Sequence, residues 1–155
     1  MKTNMQTSQA SVPAATEAGA PIGLIVPPAS GAVPPDAPLL YPDLPFLAHG
    51  LGLMDLSPDG YNGVVDSIGD AAAALVRRGA RTLALMGTSL SFYRGLAFNS
   101  ELESEIEART GCRAVTMSTG IVAACRALGM TRLAVATAYE DVVNERLVQY
   151  LADAG

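Results

Sequence analysis

The sequence predicts an α/β fold, a parallel sheet with helices on both faces. Three observations carry that expectation. Short apolar runs recur at Ile22–Val26, Thr82–Met86, Ala114–Met117 and Leu133–Thr137. Between them, apolar residues return at three- and four-residue steps, the period of a helix with one buried face. Gly, Pro, Ser and Thr mark the borders of these segments. Alternation of strand and helix at this spacing suits parallel strands joined by crossover helices. Right-handed crossovers place all strand C-terminal ends along one edge, where ligands of such sheets bind.

In chain order, Met1 to Ala20 are rich in Ala, Ser, Thr, Gln and Pro without an apolar period, and read as a disordered tail. Residues 21–155 then form one α/β lobe. Ile22–Val26 is a first buried strand, stopped by Pro27-Pro28. A Gly/Pro/Ala loop runs to about Pro42, and Phe46 to Leu53 is a weaker strand candidate. Ser57-Pro58-Asp59 announces a helix, with Ser as N-cap, Pro at the first helical position and an acid in the first turn. Tyr61, Val64, Val65, Ile68, Ala72 and Leu75 form its core-facing stripe, and Arg77-Arg78-Gly79 close it. Thr82–Met86 is the next strand and runs into Gly87-Thr88-Ser89-Leu90-Ser91. A helix with a charged face spans Asn99 to Thr110. Ala114–Met117 is a strand, and Ser118-Thr119 caps a helix ending near Leu128. Leu133–Thr137 reads as a strand again, followed by a last helix from Glu140 to Ala152.

Composition narrows the function classes. The chain has 155 residues, 50% of them hydrophobic, a length and apolar content that fit an ordinary globular domain. Ten basic residues against fifteen acidic give a net charge of −5, which argues against a general nucleic-acid binder. Lys2 is the only lysine. No apolar run approaches the ~20 residues of a membrane span. No apolar stretch of ~7–15 residues follows Lys2, so a signal peptide is not expected. The default compartment is then the cytoplasm, where Cys112 and Cys125 stay reduced.

Four loops should meet at the C-terminal edge of the sheet: Pro27-Pro28, Gly87 to Ser91, Met117 to Gly120 and Ala138-Tyr139. The second is rich in hydroxyl groups just before a helix, a turn that can aim N–H groups at an anion. A lone Thr-Ser pair more often caps local backbone. Thr88-Ser89, Ser118-Thr119 and Tyr139 at three strand ends look instead like a hydroxyl-lined carboxylate site. Gly50-x-Gly52 lacks a third glycine and opens no helix after the first strand, so it is no dinucleotide fingerprint. His49 is the only histidine and has no Cys or carboxylate at ligand spacing, so no metal is expected. Cys112 and Cys125 fall away from strand ends and read as packing residues. Arg94 reads equally as a carboxylate ligand or as an ion-pair anchor for its turn.

Several segments carry a resemblance. They are Gly23-Leu24-Ile25-Val26-Pro27-Pro28, Leu40-Tyr41-Pro42-Asp43-Leu44-Pro45-Phe46, Gly50-Leu51-Gly52-Leu53 and Met86-Gly87-Thr88-Ser89-Leu90-Ser91-Phe92-Tyr93-Arg94-Gly95. Thr116-Met117-Ser118-Thr119 and Ala136-Thr137-Ala138-Tyr139, with Val143-Asn144-Glu145-Arg146-Leu147, extend it. From about Pro21 onward the chain resembles the arylmalonate decarboxylase family, within the aspartate/glutamate racemase and maleate isomerase superfamily.

The resemblance implies one lobe of a two-lobed racemase-like fold with the active site between lobes. It implies decarboxylation of 2-aryl malonates to chiral 2-aryl acids, without cofactor or metal. One carboxylate would be held in a dioxyanion hole, and the other would leave as CO2 from an apolar pocket. Thr88, Ser89 and Tyr139 match the donor ring. Pro27, Pro28, Leu53, Leu56, Tyr61 and Leu90 match the substrate and leaving-group pocket, with Gly87 beside the donors. Racemases and maleate isomerases carry a cysteine where Gly87 stands, so the glycine points toward one-sided protonation. The family's proton-donating cysteine and a glycine completing the ring belong to the second lobe, so this chain is expected to look truncated and to turn over little alone. A small dicarboxylate is the expected partner, with no nucleic acid or membrane, and the exposed inter-lobe face is expected to associate. Two other readings stay open: a racemase- or maleate isomerase-like enzyme, and a non-catalytic one-lobe carboxylate-binding protein.

Overall fold

The computed structural model describes residues 19–155, so the tail expected at Met1 to Ala20 lies outside the described residues except for its last two. The apolar runs at Ile22, Phe46, Thr82 and Arg113 become strands β1 (Ile22–Val26), β2 (Phe46–Gly50), β3 (Thr82–Leu85) and β4 (Arg113–Thr116). They pair in parallel in the order β2-β1-β3-β4. Ile22 stands opposite both Phe46 and Thr82, and Leu85 opposite Thr116. The chain leaves β1 toward one side for β2 and returns to the other side for β3. The switch point therefore lies between the C-terminal ends of β1 and β3, where such sheets open a crevice.

Seven helices complete the described residues: α1 (Asp36–Leu40), α2 (Pro58–Val65), α3 (Ile68–Arg77), α4 (Thr88–Phe92), α5 (Leu96–Thr110), α6 (Met117–Ala127) and α7 (Asp141–Asp153). Ile25, Leu83 and Leu85 bury one sheet face against Tyr61, Val64, Ile68, Leu75, Leu102 and Ile106. Leu24, Val26 and Ala48 bury the other under Val33 and Ala37, so α1 and its preceding loop cover that face. Gly23 sits where α3 crosses the sheet, and a Cβ there would stand 2.8 Å from the Leu83 side chain.

Three local readings change. The stripe from Tyr61 to Leu75 is buried as expected, but two helices carry it. Ser67 is the reason: its hydroxyl and its N–H donate to the Val64 carbonyl at 2.6 and 3.0 Å, ending α2 and restarting the chain as α3. The cap of α6 is Thr116, whose hydroxyl accepts from the Thr119 N–H at 3.2 Å, so Ser118 and Thr119 lie inside the first turn. The loop after Gly87 winds into the short α4.

The expected strand Leu133–Thr137 does not join the sheet. The outward-pointing N–H groups of β4 are already taken. Ala114 donates to Glu107 Oε1 at 3.0 Å and Thr116 to Glu103 Oε1 at 2.8 Å, both carboxylates reaching over from α5. A fifth strand would have to displace two charge-assisted hydrogen bonds. Leu133–Thr137 instead runs exposed toward α7.

Candidate active site

The crevice is built first by glycine and proline. Beyond β2 the chain continues alongside β1, with Leu51 N–H on the Val26 carbonyl and Leu53 N–H on the Pro27 carbonyl, both at 2.9 Å. These bonds hold Pro27 and Leu53 side by side. Gly50 lies so close that a Cβ would collide with the Pro28 and Ala29 carbonyl oxygens. The Gly50-x-Gly52 pair is thus a close-approach feature of this turn.

The end of β3 supplies the hydroxyl groups. Gly87 is buried and caps α4, and a Cβ there would meet Leu90 Cδ1 at 2.8 Å. The first N–H groups of α4 have no acceptor within so short a helix. The carbonyl of Thr88 is locked from the other side: Ser91 and Ser118 hydroxyls lie 2.6 Å apart over it, at 2.8 and 3.1 Å. The Thr88 hydroxyl points to Met117 Sδ at 3.7 Å. Thr119 accepts from Asn99 Nδ2 at 2.7 Å, Asn99 Nδ2 also reaches Tyr150 at 3.3 Å, and Asn99 Oδ1 accepts from Thr116 at 2.7 Å. Ser118 and Thr119 thus tie α4, α5 and α6 together, so their hydroxyl groups are engaged internally rather than lining the expected carboxylate site.

Three candidates gather on α4. Tyr61 is 2% exposed, with its ring 5.2 Å from that of Tyr93. Burial raises the Tyr61 pKa above its ordinary 10.0, the Ser89 hydroxyl opposes the shift, and Tyr139, Asp55 and Glu140 add to it. Ser89 is 4% exposed. Tyr139 sets its ring edge-on to Phe92 at 5.8 Å, while Asn144 Nδ2 donates to its carbonyl at 3.0 Å. Tyr61 and Tyr139 thus pack on Tyr93 and Phe92 at the end of α4, the helix that carries Ser89, and Leu90 and half-buried Leu53 belong to the same core cluster. Pro27 is half-buried above the strand end and Pro28 is exposed. Leu56 is 46% exposed, on the loop before α2 and outside the buried cluster.

Other candidates resolve by contact. Arg94 donates to Asn62 Oδ1 at 2.5 Å and stacks 5.0 Å over Phe98, so a neutral amide and a ring hold it where an ion pair was expected. Cys112 is buried, with its thiol 3.8 Å from the Ala80 carbonyl. Cys125 lines an apolar cavity of about 350 Å³ between α6 and α7, with Val122, Met130, Leu133, Val135 and Val148. None of the candidate site residues lines it. No metal-ligating cluster of three or more side chains occurs among the described residues, and no helix there is long and apolar enough to cross a membrane. Sequence reasoning passed over Asn99, although a polar residue in register with buried Leu102 and Ile106 signals a buried hydrogen-bonding role.

A family model for arylmalonate decarboxylase matches residues 22–155. Arylmalonate decarboxylase of Bordetella bronchiseptica is 52% identical over 132 residues, covering 85% of this chain and 55% of that protein. A crystal structure of arylmalonate decarboxylase with one glycine-to-cysteine and one cysteine-to-serine substitution, in its liganded form, superposes with a TM-score of 0.85 at 53% identity. It covers 86% of this chain and 57% of that one. Nocardia farcinica maleate cis-trans isomerase shares the fold, with a TM-score of 0.75 at 21% identity over 87% of this chain and 58% of its own. The chain spans about half the length of the curated relative it matches. With a family match from β1 to its last residue, the chain belongs to the arylmalonate decarboxylase family.

Proposed function

We propose that this chain supplies the carboxylate-holding half of an enzyme that decarboxylates 2-aryl malonates. The observation that carries the reading is the packing of Tyr139 on Phe92 of α4, the helix that begins with Thr88 and Ser89 beside the β3 end. Hydroxyl and N–H donors there suit one substrate carboxylate. The second carboxylate would sit against Leu53, Leu90 and Pro27, where a charged group is poorly solvated and neutral CO2 is not. The C–C bond breaks, its electron pair passes into the retained carboxylate as an enediolate, and CO2 departs. Donors aimed at that oxygen pair stabilise the charge as it grows. All of this is assigned to protein groups without a cofactor.

The α-carbon must then receive a proton. Gly87 offers none, Cys112 is bonded within the core, and Cys125 lies at the far cavity. The reading therefore assigns proton delivery to a cysteine of a second lobe, acting from one face, with its thiolate reprotonated by solvent. A thiol on each face, as racemization requires, has no place beside Gly87. The same reading has the exposed inter-lobe face, which bears the site, associate with a partner.

The test joins this chain to the C-terminal part of the Bordetella relative and measures CO2 release from phenylmalonate. Turnover by the fusion and little or none by the chain alone is the expected result. Thr88→Ala and Tyr139→Phe should each lower kcat at least about 100-fold, the scale for losing an oxyanion donor. Unchanged rates refute the donor assignment.

A further inference from the structure

Thr88 and Ser89 are held by their own elements, since β3 is paired on both sides and runs straight into α4. Tyr139 has no such support from the chain before it. Leu133–Thr137 pairs with no strand among the described residues and runs exposed. Its hold comes from the other direction, from α7. Asn144 lies in the first turn of α7, beside fully buried Val143. Farther along that helix Tyr150 is buried, 3.3 Å from Asn99 Nδ2 and with its ring 6.3 Å from that of Phe92. These contacts anchor α7 to α4 and α5.

Three hydrogen bonds carry that anchorage to Tyr139. Its N–H donates to Thr137 Oγ1 at 3.3 Å, the Thr137 hydroxyl donates to Asn144 Oδ1 at 2.5 Å, and Asn144 Nδ2 donates to the Tyr139 carbonyl at 3.0 Å. A carbonyl can only accept, so it fixes which way the Asn144 amide points. The Thr137 oxygen accepts from Tyr139 and spends its own proton on Asn144, so the ring of bonds closes. We propose that Thr137 and Asn144 are positioning residues that set where the Tyr139 phenol stands. They clasp both backbone polar groups of Tyr139, while its side chain meets Phe92 edge-on at 5.8 Å. A donor stabilises developing charge most when it is aimed beforehand and need not reorganise. The clasp supplies that aim without touching substrate. This inference rests on the carboxylate site proposed above and on the donor role given there to Tyr139.

The test uses the same fusion with phenylmalonate. Asn144→Ala should lower kcat about 10- to 100-fold, the scale for displacing a catalytic group by up to about 1 Å, with KM changed less. Thr137→Val keeps the shape without the hydroxyl and should lose kcat in the same way. Thr137→Ser keeps the hydroxyl and should keep kcat. In a double-mutant cycle, Asn144→Ala added to Tyr139→Phe should cost nothing further, because the O–H that the clasp aims is gone. Equal Asn144→Ala losses with and without the Tyr139 hydroxyl overturn the inference. So does a Thr137→Ser variant as slow as Thr137→Val. A role in folding alone lowers the thermal midpoint of Asn144→Ala and leaves kcat unchanged well below it, which overturns the inference as well. If Tyr139→Phe itself leaves turnover intact, the donor reading has failed. If Tyr139→Phe impairs turnover while Asn144→Ala does not, only the inference fails.

Discussion

The region from β1 to Cys112 is poorer in apolar residues than the region from Ile121 to Ala138, yet the buried apolar side chains lie in the first and not in the second. In the first, Ile25, Ile68, Leu83 and Leu85 are sealed between sheet and helices. In the second, Leu128 is 74% exposed and Val135 55%, and Met130 and Leu133 line an open cavity. The difference is the supply of hydrogen-bonding partners. β1 and β3 each have a neighbour on both sides, so their side chains are delivered to a core. Leu133–Thr137 has no ladder to enter, because Glu103 and Glu107 close the β4 edge.

The contrast is broken or sharpened by paired substitutions. Leu85→Ala should cost about 2–5 kcal/mol of unfolding free energy in denaturant melts, while Val135→Ala should stay within about 0.5 kcal/mol. Comparable losses at both positions would erase the distinction. Asn99→Ala should cost about 1–3 kcal/mol by leaving Thr116, Thr119 and Tyr150 without their shared partner. Glu103→Ala with Glu107→Ala should cost about 1–2 kcal/mol. That pair frees the β4 edge, so strand content by circular dichroism or self-association by sedimentation should rise. A double variant with unchanged association state and unchanged strand content would show that the carboxylates do not guard the edge.

The smallest effect is a pH dependence. Burial raises the pKa of Tyr61 and of Tyr150 in the folded chain above the ordinary 10.0. Both forms are protonated below that value, so neither tyrosine alters stability there. Above it the unfolded chain ionises first, and stability falls as pH climbs toward the folded pKa. Tyr150→Phe should flatten the decline in urea midpoints above pH 10.0. An unchanged slope would locate the alkaline sensitivity elsewhere.

Much of the site was legible from the chain. Thr88 and Ser89 stand at a strand end because the apolar run Thr82–Met86 stops at a glycine beside small hydroxyl residues. Tyr61 fell on a helical stripe and is buried on it. Ser118 and Thr119 were not separable from Thr88 and Ser89 by sequence. Both pairs are small, hydroxylated and near strand ends, and only the placement of Ser91 and Asn99 shows that the second pair is consumed internally. Leu56, assigned to the pocket by the resemblance, stands exposed on the loop before α2.

By itself the sequence determined the α/β alternation, the positions of four strands and the arrival of hydroxyl side chains at one sheet edge. Those features follow from local period, capping and chain stops, which each segment carries within itself. The tertiary structure alone decided which hydroxyl groups stay available, that Glu103 and Glu107 close β4, and that Leu133–Thr137 remains unpaired. Each of those outcomes is a competition for a hydrogen-bonding partner. The competitors lie far apart in sequence, so neither of them can settle it locally.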